Sequence, residues 1–182
     1  MFRQWRVERQ LHERAERFVE ALLMEPSAPD VAWLAECATR GDADHAAWEL
    51  RYAKRALGLV SAQRDALDDS TGAAVAHAMS AAFDRDRRIG RDRLDLALRQ
   101  FNARLSAYRD AVGARVTAAT AARLGRTLLA FAGGSFREAD ANVLRGGELL
   151  LTLLAGANES LRATFGEAAL PEHIAPSALT QR

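Results

Sequence analysis

Apolar residues recur along this chain at steps of three and four, the spacing that gathers side chains on one face of an α-helix. Over residues 3–24 the stripe is Val7, Leu11, Ala15, Phe18 and Leu22. It predicts an amphipathic helix that ends at Pro26 and Pro29. Ser27 and Asp30 have the spacing of a capping box with Asp in place of Glu, and open a short helix carrying Val31, Leu34 and Cys37 before Gly41 closes it. Asp42 is the expected N-cap of a longer helix over 43–67, with Ala46, Leu50, Ala53, Leu57, Val60 and Leu67 in register and Arg64 interrupting the stripe. The run Asp68-Asp69-Ser70-Thr71-Gly72 supplies turn and cap chemistry ahead of Val75, Met79, Ala82 and Phe83, which suggests an antiparallel hairpin.

The cleanest periodicity is Leu94, Leu98, Phe101, Leu105, Tyr108 and Val112. Val116, Leu124, Leu128 and Phe131 carry the pattern on to Gly133-Gly134, with Gly113 either ending a helix or kinking one that runs through 91–132. Ser135-Phe136-Arg137-Glu138 has capping-box form, and Leu144, Leu151, Leu154, Leu161 and Phe165 share a helical face beyond it. No stretch alternates as a strand would. The reading is therefore an all-α fold: an antiparallel bundle of six or seven helices forming one domain over 1–166. Residues 167–182, with Pro171 and Pro176, read as a tail that is loose or docked on the body.

Alanine supplies about a fifth of the chain and there are only 4 prolines, so composition reinforces helix. The 25 basic and 24 acidic side chains nearly cancel, leaving no global field to gather nucleic acid or an anionic membrane, and neither is an expected partner. Arg85, Arg87, Arg88, Arg91 and Arg93 are interleaved with Asp84, Asp86 and Asp92, which reads as a solvated turn laced by salt bridges. The single cysteine excludes an intramolecular disulfide framework. The opening residues lack the apolar stretch of a secretory signal, and residues 143–157 are interrupted by Arg145 and Glu148. A cytoplasmic protein without a membrane span is expected.

Candidate chemistry is sparse. Glu8, His12 and Glu16 fall on one helical face, but neighbouring arginines explain them as surface ion pairs and no Glu-x-x-His motif supplies a second half-site. No metal or other cofactor is expected, and His77 reads as a packed or surface residue. Asp42 and His45 stand at a helix start, where capping is simpler than general-base catalysis without a partnered Ser or Cys nucleophile. Cys37 sits on an apolar stripe and reads as an inert thiol. The Gly133-Gly134 and Gly146-Gly147 pairs lack phosphate-loop flanks and read as a turn and a close helix crossing.

Two groups remain. Trp33, Trp48 and Tyr52 with His45 are candidates to line an apolar pocket. Leu149, Leu150 and Leu153 belong to a run whose leucines encircle their helix, which fits either a central bundle helix or a subunit interface. The balance favours a non-enzymatic helical interaction or regulatory protein that self-associates as a homodimer. The alternatives are a bundle holding a small apolar ligand and, less favoured, an enzyme using the Asp42/His45 region.

Overall fold

Seven α-helices and one 3-10 turn make up the described part of the chain, residues 2–66, 69–134 and 140–166 of a computed structural model. They are α1 (Phe2–Leu22), α2 (Ala28–Cys37), α3 (Ala43–Asp65), α4 (Asp69–Arg85), the 3-10 turn Arg91–Arg93, α5 (Leu94–Val112), α6 (Ala118–Phe131) and α7 (Ala141–Phe165). No strand occurs among the described residues. The fold is the multi-helix bundle that the periodicity predicts.

Helix ends fall where side chains satisfy the orphan amides of a first turn. Ser27 Oγ accepts from the Asp30 amide at 3.2 Å and caps α2, with Pro29 inside the first turn where its missing N–H costs nothing. Asp42 Oδ1 accepts from the His45 amide at 2.9 Å and caps α3. Gly113 stops α5 at φ +67°, a left-handed conformation open to glycine, so the 91–132 segment is two helices. Thr120 Oγ1 takes the Thr117 amide at 2.9 Å to open α6. Asp140 caps α7 by accepting from the Asn142 amide at 2.7 Å. The capping box at 135–138, Leu67 and the tail at 167–182 lie outside the described residues.

α3 is the hub and touches all six other helices. Its inward positions Ala46, Leu50, Ala53, Ala56, Leu57 and Val60 are all buried, each large side chain adding roughly 1.5–3 kcal/mol when taken fully from water. α4 folds back antiparallel on α3, bringing Gly72 beside Ala62 and Phe83 beside Tyr52. α1 runs alongside α4 in the same direction: His12 faces His77, and Glu25 just past α1 reaches Arg88 just past α4. A same-direction neighbour is possible because α2 and α3 intervene in the chain.

α6 and α7 make the closest crossing, at Gly125, Gly146 and Gly147. A Cβ on Gly125 would overlap the Val143 carbonyl and stand 2.9 Å from the Gly147 nitrogen, and one on Gly147 would overlap the Ala121 carbonyl. Backbone meets backbone here because neither helix has a side chain in the way. Leu150, Leu154 and Leu161 are consequently buried, while Leu149, Leu151 and Leu153 are half-buried against the same core. α7 also touches α1 and α3, so the leucines of 149–154 are at least partly covered within the chain, whereas Leu144 is 51% exposed. No helix among the described residues is long and apolar enough to cross a membrane.

Candidate functional site

The middle of α3 carries charges where a bundle helix ordinarily carries leucine. Arg55 is 1% exposed and its Nη2 donates to Asp86 Oδ2 at 2.8 Å, in the turn that follows α4. Its guanidinium also lies over the Phe83 ring at 4.9 Å, a cation–π contact that partly offsets the loss of water. Arg55 Nε and Nη1 have no hydrogen-bond partner among the described residues. Asp86 Oδ1 takes Arg88 Nε at 2.8 Å, Arg88 reaches Glu25, and Glu25 accepts from Arg51 at 2.8 Å. An alternating chain of charge thus pins the turn after α4 to α3 and to the α1–α2 connection. Its inner end is dry and its outer end is solvated, so the inner pair dominates the energetics.

Nearly two turns earlier on α3, Glu49 is 2% exposed and is gripped by Arg104 of α5 in a fork. Arg104 Nε donates to Oε2 at 2.8 Å and Nη2 donates to Oε1. The same guanidinium lies over the rings of Tyr52 at 5.1 Å and Phe131 at 4.5 Å. Burial acts to lower the Arg104 pKa, but the hydrogen bonds and charge of Glu49 leave it raised. Burial raises the Tyr52 phenol, with the Arg104 charge opposing. Tyr108, fully buried one turn further along α5, is pushed far above its ordinary value by burial and by the Glu49 charge. Its hydroxyl has no hydrogen-bond partner among the described residues.

The aromatic candidates divide. Trp48 and Tyr52 stack side by side at 5.5 Å, and Tyr52, Phe83 and Phe101 form a packed trio with centroids 4.8 to 6.4 Å apart. His45 joins this end of α3, its Nε2 lying 3.4 Å from Glu49 Oε1. Trp33 belongs to another neighbourhood: its Nε1 donates to Asn142 Oδ1 at 3.1 Å and Arg145 lies over its ring at 4.7 Å, docking α2 on α7. The rings around Tyr52 fill the space between them. A cleft of about 490 Å³ lies between α1 and α4 along Glu16, Glu20, Leu23, Ala82 and Arg88, and one of about 700 Å³ is edged by Val60, Gln63, Arg64 and Arg109. Neither is lined by Trp33, Trp48, Tyr52 or His45.

Of the other candidates, Asp42 is engaged as an N-cap and His45 faces a carboxylate already forked by Arg104. Cys37 is half-buried, and burial raises its thiol pKa, away from the reactive thiolate. Glu8, His12 and Glu16 are exposed on α1, and no group of three or more metal-ligating side chains converges among the described residues. The charge run at 84–93 is less solvated than its composition implies, because Asp86 turns inward to Arg55 with 5% exposure.

Glu49, Arg55 and Arg104 were not legible as buried from residue type, since Glu and Arg are almost always at the surface. A signal was available in the uncharged run 56–62, which marks α3 as enclosed on every side and makes the adjoining Arg55 suspect. No known protein family, curated protein or solved structure matches the chain. The class defined by fold and site is an all-α bundle stiffened by two buried ion pairs.

Proposed function

We propose that the protein is a non-enzymatic helical interaction module that self-associates through the first half of α1. One observation carries this reading: the apolar stripe of α1 continues past the point where the core stops covering it. Ala15, Phe18, Val19 and Leu22 are buried, whereas Leu11 is half-buried and Val7 is 65% exposed. A helix that keeps its stripe beyond its own core presents an anchor for another apolar helix face. A second copy is the partner named here because symmetric dimers dominate soluble oligomers. The leucines of α7 are less suited to that role, since Leu150 is fully enclosed. The buried carboxylates meanwhile are committed to arginines, which favours a structural over a catalytic use.

The test is sedimentation across a concentration series, comparing the wild-type chain with Val7→Glu on the stripe and with Trp5→Ala, two residues away and off it, as a control. Both positions are exposed, so the helical spectrum should persist in each variant, while Val7→Glu alone weakens the dimer about tenfold or more. A wild-type chain that sediments as a monomer throughout overturns the reading, as does a dimer insensitive to Val7→Glu.

A further inference from the structure

His12 and His77 come from different helices, 65 positions apart in sequence, yet their rings face each other with centroids 6.2 Å apart and planes at 84°. We propose that they form a clip, bridging α1 and α4, for a divalent transition-metal ion of the class that prefers imidazole nitrogen. The tautomer is already set at His12. Its Nδ1 lies 2.7 Å from the Glu8 carbonyl oxygen, which only accepts, so Nδ1 carries the proton and Nε2 of the neutral ring keeps its lone pair. A backbone carbonyl holding the other ring nitrogen is the usual outer-shell support of a ligating histidine.

The geometry allows one ion to reach both rings. With metal–nitrogen bonds of about 2 Å, two imidazoles on one ion have centroids roughly 5–6 Å apart, depending on the angle between them. The observed separation of 6.2 Å lies just beyond that span. Both side chains are exposed, so small χ rotations can close the gap. Beneath them the two helices are fixed by the buried residues Ala15, Phe18 and Val19 of α1 and Val75, Ala78 and Met79 of α4. Glu8 and Glu16 stand one turn to either side of His12 on the same face of α1. Because no three ligating groups converge among the described residues, water would fill the ion's remaining positions. Imidazole donors favour copper, nickel and zinc over magnesium or calcium. Bound metal would staple two helices that are not neighbours in sequence, and would stabilise the fold by mass action.

Thermal unfolding and calorimetric titration of the full chain at neutral pH, with nickel, zinc or magnesium chloride, test the clip. Nickel and zinc should raise the unfolding midpoint by a few degrees and magnesium should not. His12→Ala and His77→Ala should each weaken binding about tenfold or more by removing the chelate, while His45→Ala and His173→Ala leave it intact. The proposal is overturned if nickel and zinc do nothing. It is equally overturned if their effect survives His77→Ala, which would place the ion on α1 alone, or if it depends on His45 or His173.

Discussion

Arg55 and Asp86 meet at 2.8 Å with exposures of 1% and 5%, a pair in which neither charge has ready access to water. Breaking such a pair leaves one buried charge without a partner, and Asp86→Ala should lower unfolding free energy by about 3–5 kcal/mol. The Arg55→Met/Asp86→Leu double variant should recover most of that loss, because the uncompensated charge goes with its partner. Urea denaturation of the three chains measures both. A loss under about 1 kcal/mol for Asp86→Ala, the range of exposed pairs, would mean that water reaches the site.

Glu49 and Arg104 should behave as a coupled unit that sets the register of α5 on α3. Glu49→Gln keeps the shape but loses the charge, and should cost about 1.5–3 kcal/mol for charge-assisted hydrogen bonds. In a double-mutant cycle with Arg104→Ala the two losses should fall short of adding, with a coupling of roughly 0.5–3 kcal/mol. Additive losses would indicate that Arg104 contributes chiefly through its stacking on Tyr52 and Phe131.

Two glycines of the α6–α7 region and its extension should respond to alanine with opposite signs. Gly125→Ala forces a methyl into the Val143 carbonyl and should destabilise by about 1–3 kcal/mol or more, since two backbones must separate. Gly156 is exposed within α7 and an added Cβ there meets nothing within 4 Å, so Gly156→Ala should stabilise by roughly 0.5–1 kcal/mol through helix propensity. Thermal midpoints of the two variants decide the point.

Alkaline unfolding should be linked to Tyr108. Its folded pKa is raised above the unfolded value of about 10, so between the two the unfolded chain binds fewer protons than the native one. Stability is therefore fully present below pH of about 10 and falls above it, by about 1.4 kcal/mol per pH unit for this group. Tyr52, raised in the same direction, adds to the slope. Tyr108→Phe should flatten the alkaline limb and leave stability at neutral pH little changed, because the hydroxyl it removes has no hydrogen-bond partner among the described residues. Denaturation midpoints across alkaline pH measure the difference in slope.

The helices themselves were readable without any structure. Stripes such as Leu94, Leu98, Phe101, Leu105, Tyr108 and Val112 repeat at the period of one helical face, and caps such as Ser27 and Asp42 act within three residues of themselves. The Gly146-Gly147 crossing was legible too, since adjacent glycines inside an apolar helix imply close approach. The aromatic candidates were legible only in part: Trp48, Tyr52 and His45 share one helix and stay together, whereas Trp33 goes to α7.

The sequence by itself determined what depends on neighbours a few residues apart: the all-α class, most helix starts and stops, and much of the face each helix turns inward, although Leu144 of the expected α7 stripe is 51% exposed. Tertiary structure alone decided what depends on partners far along the chain. Arg55 looks like any surface arginine until Asp86, 31 residues on, is folded against it, and Glu49 until Arg104 arrives from 55 residues away. His12 was grouped with Glu8 and Glu16 by helical spacing, but the side chain opposite it is His77 of α4. Local periodicity constrains direction on one helix, while the pairing of charges and rings across helices follows from how the whole set packs, which no window of sequence contains.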